Sequence, residues 1–172
     1  MTHWFRIIAV LSLTTPAFAE EQSLPKPVAD MECLVGAWKG GGTLGMGKDK
    51  VKLTAAWTCK RTALRFGVTC TFHVTGIPGV PSYEETDLMG FEPNTNTYHW
   101  YSVTNAGETH DHVAKVPNGN KIQFVYAGSQ EGKPLKEVID LDFSGDGKSV
   151  SGHVETFVGG SSASVMELAL RK

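Results

Sequence analysis

Apolar and polar residues alternate along most of the chain, in short stretches that are separated by turn-forming residues. From Gly36 to the C-terminus, turn signals recur about every ten residues, as in Gly45-Met46-Gly47, Pro93-Asn94-Thr95-Asn96 and Gly145-Asp146-Gly147. A period of two between apolar residues is typical of a strand that buries one face. The pattern therefore predicts a run of short antiparallel strands that are joined by tight turns.

Ten strands follow from this alternation, and no long amphipathic helix is predicted between them. In the third strand, alternate apolar residues from Leu64 to Val74 share one face. Ten short strands exceed what an open sheet usually tolerates, so we predict an all-β fold, an up-and-down antiparallel β-barrel. A two-layer sandwich is the alternative, which the short connections disfavour. The predicted strands are residues 37–44, 50–59, 62–75, 83–92, 97–104, 108–116, 121–127, 135–144, 149–158 and 163–171.

The N-terminal segment has the composition of a secretory signal peptide. Arg6 supplies a positive charge, residues 7–13 are apolar, and Ala17-Phe18-Ala19 matches a small-x-small cleavage pattern. The apolar run is shorter than the roughly 20 residues that a membrane-spanning helix needs. We therefore expect residues 1–19 to be a signal peptide that is cleaved after Ala19. The protein is then periplasmic or secreted and has no stable membrane anchor.

The rest of the chain suits one domain that follows a short leader. Residues 20–32 are assigned to this leader, and the prolines Pro25 and Pro27 indicate an extended conformation. Asp30 is a candidate N-cap for a short helical turn over Met31–Leu34. Residues 33–172 are expected to form the barrel domain.

Charge argues against one class of partner. The sequence has 16 Lys and Arg against 18 Asp and Glu, a formal net charge of −2, and its basic residues are scattered without forming a basic stripe. Because phosphate backbones are bound by clustered cations, we expect no nucleic acid partner. The oligomeric state does not follow from the sequence.

Three cysteines follow the predicted cleavage site, in a compartment where disulfides persist. Cys59 and Cys70 both occupy the alternate positions that hold the apolar residues of their strands, so their side chains should point inward. We therefore predict a Cys59–Cys70 disulfide. A tight turn near Arg61 would not place these two residues directly opposite each other. A bridge from Cys33 to either of them is therefore the alternative.

Two short motifs carry a family resemblance. Gly36-Ala37-Trp38 resembles the Gly-x-Trp opening of the calycins, the lipocalin and fatty-acid-binding superfamily, in which the tryptophan closes the base of the barrel. Leu88-Met89-Gly90-Phe91-Glu92-Pro93 is similar to a strand-turn-strand of uncharacterised, often secreted bacterial lipocalin-like proteins. The resemblance implies a calycin-like barrel fold and does not identify a ligand.

One branch of this superfamily, the haem-binding nitrobindins, also begins with Gly-x-Trp-x-Gly. Its axial histidine lies in a C-terminal segment, whereas this chain has no histidine after His153. The departure argues against haem, and we expect no cofactor.

Turn chemistry is used to predict which face of the sixth strand points inward. Asn118-Gly119 suits a two-residue type I′ turn, which would pair Val113 with Phe124 and Asp111 with Tyr126. Phe124 and Tyr126 belong to an apolar face that we expect to line the interior. Asp111 would therefore also point into the barrel.

The histidines that flank Asp111 would then point outward. His110 and His112 lie two residues apart on a strand, so both imidazoles share one face. A solvent-facing pair without a third ligand is only a weak candidate for metal binding, and no metal site is predicted. Glu84, Glu85 and Asp87 are interpreted as a charged rim on a solvated strand.

The same register brings polar side chains into the interior. Asn105-Ala106-Gly107 fits a three-residue loop that pairs Thr104 with Glu108, and the ladder then continues through Tyr101 with Asp111 and His99 with Val113. A cavity that holds water or the polar end of a ligand would relieve the cost of burying these groups. The predicted ligand-binding residues are His99, Tyr101, Asp111, Phe124, Tyr126 and Trp57.

We therefore predict a secreted lipocalin-like barrel that binds a small apolar or amphipathic molecule. One alternative is an enzyme, an isomerase or hydrolase, that uses the interior His, Asp and Tyr side chains for acid–base chemistry. The sequence favours a non-enzyme because no nucleophile motif accompanies this cluster, and no catalytic residue is assigned. The other alternative is a structural module whose interior is filled by side chains.

Overall fold

Ten antiparallel strands close into one barrel in the computed structural model, which describes residues 23–117 and 119–172. Each strand pairs with the next one along the chain, and the first strand closes the ring against the tenth. The predicted up-and-down barrel is confirmed, and the sandwich is excluded. The predicted signal peptide (residues 1–19) and Asn118 of the predicted turn lie outside the described residues.

The elements follow the chain in a simple order. A short α-helix, α1 (Lys26–Asp30), continues into a 3-10 turn (Met31–Leu34) before the first strand. A second 3-10 turn, Ala63–Arg65, separates the second and third strands. The strands are β1 (Gly36–Met46), β2 (Asp49–Arg61), β3 (Gly67–Thr75), β4 (Tyr83–Glu92), β5 (Thr97–Thr104), β6 (Thr109–Lys115), β7 (Lys121–Gln130), β8 (Lys133–Phe143), β9 (Ser149–Val158) and β10 (Ser161–Arg171).

The third strand is shorter than its apolar pattern predicts. It begins at Gly67, and Leu64 and Phe66 lie in the preceding connection with 84% and 45% of their surface exposed. Leu64 has a positive φ of 62°, which no regular strand accepts. The connection is therefore wider than a tight turn, and it sets Cys59 directly opposite Cys70.

The Cys59–Cys70 disulfide is confirmed, and both half-cystines are buried. The expectation that a tight turn would offset the two residues is wrong, because the residues between β2 and β3 form a wider connection. Cys33, the alternative partner, is a free and partly buried thiol in the described chain.

The segment before β1 packs on one end of the barrel. Residues of the predicted extended leader form α1 instead, where Pro27 occupies an early helical position that tolerates proline. The helical turn at Met31–Leu34 is present, but Asp30 makes no capping bond and instead accepts hydrogen bonds from Lys26 Nζ at 2.6 and 2.8 Å. Neither 3-10 turn nor α1, in the part of the chain the structure describes, has the length and apolar character that a membrane span requires.

Trp38 anchors this end of the barrel. Its side chain is fully buried, and its indole N–H donates a hydrogen bond to the Leu34 carbonyl oxygen at 2.8 Å. Its ring meets Phe143 edge-on, with centroids 6.1 Å apart. Trp38 thus joins the N-terminal segment to β1 and β8.

Glycines allow β1 and β10 to meet closely at the seam of the barrel. A Cβ atom at Gly40 or Gly42 would collide with the carbonyl oxygens of Ala169 and Glu167 on β10. Only residues without a side chain permit this approach, so Gly40 and Gly42 serve barrel closure, whereas a Cβ at Gly41 would collide with the Leu53 carbonyl oxygen on β2.

Candidate functional site

The face of β6 that points inward is the opposite of the predicted one. The β5–β6 ladder has the predicted register, with Tyr101 opposite Asp111 and His99 opposite Val113. Between β6 and β7, however, Val113 pairs with Val125 rather than with Phe124. Because side chains alternate with a period of two, this slip of one residue exchanges the inner and outer faces of β5 and β6.

Pro117 gives the physical reason for the slip. A two-residue turn at positions 118–119 would make Pro117 the last residue of the strand, where its missing N–H cannot take part in the ladder. In the structure β6 ends at Lys115 and β7 begins at Lys121, so a five-residue connection replaces the predicted two-residue turn. The proline was the available signal against that turn.

Three of the predicted ligand-binding residues consequently lie on the outer surface. Tyr101 is 47% exposed, and the side chains of His99 and Asp111 are 38% and 46% exposed. His99 Nδ1 lies 3.1 Å from both carboxylate oxygens of Asp111, as an outward-facing pair. The prediction that these three residues belong to an interior cluster is therefore wrong.

The other three predicted residues point inward. Trp57 and Phe124 are buried, and both pack on Trp100, with ring centroids 5.7 and 5.3 Å away. Tyr126 is partly buried and stacks on His110 at 4.1 Å, with the two rings nearly parallel. Whether these residues contact a ligand stays a prediction.

A histidine pair and a carboxylate form the polar centre of the interior. His110 and His112, expected to face solvent, have only 9% and 3% of their surface exposed. His110 Nδ1 lies 2.7 Å and His112 Nε2 lies 3.1 Å from the same oxygen, Oε2 of Glu137 on β8. Glu137 has the parity of the apolar residues Ile139 and Leu141, which was a signal that it would point inward.

The two imidazoles determine the protonation of this carboxyl group. Burial opposes the charge of Glu137, but hydrogen bonding from His112 and the positive potential of His110 outweigh it, so the pKa of Glu137 is lowered. Thr156 Oγ1 on β9 donates to the other carboxylate oxygen at 3.5 Å. Glu137 is therefore an oriented anion inside the barrel.

A second acidic group, on β4, is buried without a cationic partner. Asp87 has 1% of its surface exposed, whereas the sequence suggested a solvated rim. Trp57 Nε1 donates to Oδ2 of Asp87 at 3.4 Å, and Oδ1 has no hydrogen-bond partner among the described residues. Desolvation, and next the nearby Glu85 carboxylate, raise the pKa of Asp87 to about 8. Asp87 is therefore mostly protonated at neutral pH.

Tyr83 and Glu85 complete the polar side of the interior. The Tyr83 hydroxyl donates to Glu85 Oε2 at 3.0 Å. Burial, followed by the charge of Glu85, holds the pKa of Tyr83 far above its usual range. Tyr83 thus stays neutral and fixes the Glu85 carboxylate at the cavity wall.

Tyr83, Glu85, the two histidines and Glu137 border a cavity of about 210 Å³ inside the barrel. Residues that pair across β8, β9 and β10 form rows around the wall of this cavity, and each row lies at one level along the barrel. Glu137, Thr156 and Ser164 form one polar row, and the next rows towards α1 are apolar. Those apolar rows are Ile139–Val154–Met166, Leu141–Gly152–Leu168 and Phe143–Val150–Leu170, and all of these residues except Phe143 line the cavity.

The cavity is therefore amphipathic along the barrel. Its polar level carries the histidines and Glu137, and Tyr83, Glu85 and Ser102 also line it. Its apolar part is lined by aliphatic side chains and by the indole rings of Trp57 and Trp100. The interior is thus not filled by side chains alone, which is what the structural-module alternative requires.

Comparison with known proteins supports the barrel fold and does not indicate a function. No protein-family model matches the chain, and no curated protein matches it. The structure is similar to the crystal structure of Rv2717c from M. tuberculosis, with a TM-score of 0.63. The match covers 87% of this chain and 99% of that one at 14% sequence identity. At that identity the likeness shows a shared barrel fold.

Proposed function

We propose that this protein binds a small amphipathic molecule inside its barrel. The observation that carries the proposal is the cavity of about 210 Å³, whose polar level at Glu137 gives way to three apolar rows. Such a gradient matches a ligand that has one polar end and one apolar body. Interior ligand binding also agrees with the resemblance to calycins.

The size of the cavity limits the ligand. A cavity of about 150 Å³ lined by apolar side chains can hold benzene, whereas drug-sized ligands occupy roughly 300 to 1,000 Å³. A volume of about 210 Å³ therefore suits a molecule slightly larger than a single aromatic ring. A long acyl chain would have to extend beyond this space.

The orientation of the ligand follows from the register rows. Its apolar part would contact Leu141, Leu168 and the Trp57–Trp100 stack. Its polar end would lie at the level of Glu137 and the two histidines, where hydrogen-bond donors and acceptors are already oriented. The same arrangement excludes ligands that are polar at both ends, because the apolar rows offer no partner for a second polar group.

We also propose that the protein acts in the periplasm or outside the cell. The buried Cys59–Cys70 disulfide supports this location, because oxidising compartments preserve such bridges. The predicted signal peptide agrees with it.

Isothermal titration with p-cresol tests ligand binding, because this probe combines one ring with one hydroxyl group. We expect one molecule to bind per chain. Gly152 on the middle apolar row offers a way to fill the cavity, since a Cβ there would meet Leu141 and Leu168 at ordinary contact distances of 3.5 and 3.7 Å. Gly152→Leu should weaken binding at least tenfold.

Ser151→Val is the matched control, because Ser151 is the exposed neighbour of Gly152 on the same strand. The control variant should bind as the wild type does. The proposal is wrong if the wild type binds no p-cresol and native mass spectrometry shows no small molecule retained from the expression host. Equal binding by wild type and Gly152→Leu would also place any ligand outside the cavity.

A further inference from the structure

We propose that His110, His112 and Glu137 form a binding site for a divalent first-row transition metal ion, with Zn²⁺ as the favoured occupant. One ligand atom from each residue lies within 4.8 Å of the other two. Two nitrogens and one carboxylate oxygen are a donor set that zinc and its neighbours in the series accept. This inference does not depend on the small-molecule proposal.

The distances from the carboxylate oxygen to the two imidazole nitrogens are close to what an ion requires. Metal–ligand bonds of about 2.0–2.1 Å in a tetrahedron separate neighbouring ligand atoms by about 3.3 Å. Oε2 of Glu137 lies 2.7 Å from His110 Nδ1 and 3.1 Å from His112 Nε2. The two nitrogens lie within 4.8 Å of each other, so the imidazoles would have to move until this separation also matches the tetrahedral spacing around an ion.

The hydrogen bonding around the cluster leaves one nitrogen of each imidazole directed at the carboxylate. Both imidazoles approach a single carboxylate oxygen, which has two lone pairs and can accept a hydrogen bond from each ring. His112 Nδ1 is buried and has no hydrogen-bond partner among the described residues. Nδ1 points away from the ligating nitrogen Nε2, so it would carry the ring N–H when Nε2 binds an ion.

The scaffold holds the three side chains firmly. His110 and His112 share the inner face of β6, and Glu137 lies on β8, with Tyr126 of the intervening strand β7 paired to Glu137 and stacked on His110. Thr156 donates to the second oxygen of Glu137, as outer-shell partners of ligating carboxylates commonly do. Ligands that are fixed by strands and a second layer of contacts are pre-organised for an ion.

The site would leave at least one coordination position free. All three side chains line the cavity of about 210 Å³. Three protein ligands with a fourth position facing a cavity are typical of zinc sites that bind water or an exogenous molecule, whereas structural zinc sites have four protein ligands. The fourth position is therefore where an organic molecule with an anionic or hydroxyl end could reach the ion.

Titration of the metal-depleted, full-length protein with ZnCl₂ tests the site directly. All proteins carry Cys33→Ser, which removes the free thiol as a competing ligand. We expect one Zn²⁺ per chain, and loss of at least about 100-fold in affinity for His112→Gln and for Glu137→Gln, because even outer-shell changes cost 10- to 100-fold. His153→Gln is the control, since His153 Nδ1 lies 2.8 Å from Glu167 in an exposed histidine–carboxylate pair.

Cobalt binding to the site without ligand substitutions supplies a second measurement, which does not depend on whether a variant folds. Co²⁺ bound by both imidazoles should give two solvent-exchangeable, hyperfine-shifted proton resonances and the intense visible absorption of four- or five-coordinate cobalt. The inference is overturned if Zn²⁺ binds more weakly than about 1 mM, or if cobalt shows fewer than two such resonances. Binding that survives both Glu137→Gln and His112→Gln would overturn it as well.

These outcomes are separable from the small-molecule test. The zinc and cobalt titrations contain no organic ligand, so their failure leaves p-cresol binding unaffected. Conversely, Gly152→Leu fills the apolar rows and should leave zinc binding within about twofold of the wild type.

Discussion

The barrel wall carries the same chemical pair on its two faces, a histidine beside a carboxylate, in opposite surroundings. On the outside, His99 and Asp111 lie 3.1 Å apart and are both well exposed. On the inside, His110 and His112 contact Glu137 at 2.7 and 3.1 Å with little exposure. His99 and His112 belong to adjacent paired strands, so β-strand alternation alone separates the two environments.

This comparison shows that residue type and spacing do not define a site. Water screens the outer pair, and exposed ion pairs of this kind contribute about 0–1 kcal/mol. The inner cluster has lost most of its water, so an unpaired charge there costs several kcal/mol, and a bound ion or polar ligand gains correspondingly. Burial therefore distinguishes a candidate functional site from a surface contact with the same composition.

The largest expected contrast concerns two aspartates, Asp87 inside and Asp111 outside. The pKa of Asp87 is raised from 3.8 to about 8 in the folded protein. Below pH 4 both folded and unfolded states hold the proton, so burial has no pH-dependent effect. Between pH 4 and 8 only the unfolded state releases it, and stability should fall with a slope approaching about 1.4 kcal/mol per pH unit.

Urea unfolding of wild type, Asp87→Asn and Asp111→Asn at pH 4 to 8 measures this contrast. The amide of Asp87→Asn does not titrate, so this variant should gain stability over the wild type as the pH rises. Asp111→Asn should follow the wild-type curve within about 0.5 kcal/mol. Parallel curves for wild type and Asp87→Asn would contradict the raised pKa.

A smaller contrast is expected for the two carboxylates that contact histidine. Glu137→Gln leaves two buried imidazoles without their anionic partner, and we expect it to reduce the free energy of unfolding by about 2–3 kcal/mol. Asp111→Asn removes the exposed counterpart and should cost less than about 0.5 kcal/mol. Urea unfolding at pH 7 with EDTA present compares the free energies of unfolding of the metal-free proteins, without any contribution from a bound ion. Equal losses would show that burial does not distinguish the two clusters.

The smallest effect is expected for the outer surface that the sequence suggested as a binding site. His99→Ala and Tyr101→Ser alter exposed side chains that do not line the cavity. Each should change stability by less than about 0.5–1 kcal/mol and leave p-cresol affinity within twofold. A tenfold loss of p-cresol affinity in either variant would indicate that the ligand binds on the outer face of the barrel.

Strand positions could be predicted because they depend on local signals. The bounds of β4, β5 and β9 agree with the prediction, since each strand alternates cleanly and is bounded by turn residues. The Cys59–Cys70 bridge was predicted from the alternation of apolar positions in the two strands. Leu64 and Phe66 show the limit of the same rule, because apolar parity continued into a connection where the backbone leaves the strand conformation.

The inner face of β5 and β6 could not be read from these local signals. The predicted pairing of β5 with β6 was right. However, a shift of one residue in the pairing of β6 with β7 exchanged the inward-facing and outward-facing side chains of both strands. His110 and His112 were therefore assigned to the outside and His99, Tyr101 and Asp111 to the inside. Glu137, the third member of the cluster, is 25 residues from His112 and reaches it only across β7.

The sequence by itself determined ten alternating strands, their order and the closure of the barrel, because periodicity and turn residues act over a few neighbouring positions. Only the tertiary structure decided which face of each strand surrounds the cavity. That choice depends on the register between β6 and β7, where Pro117 prevents the tight turn and Val113 meets Val125. The physical reason is that a β-strand has two nearly equivalent faces, and only its neighbours select the one that is buried.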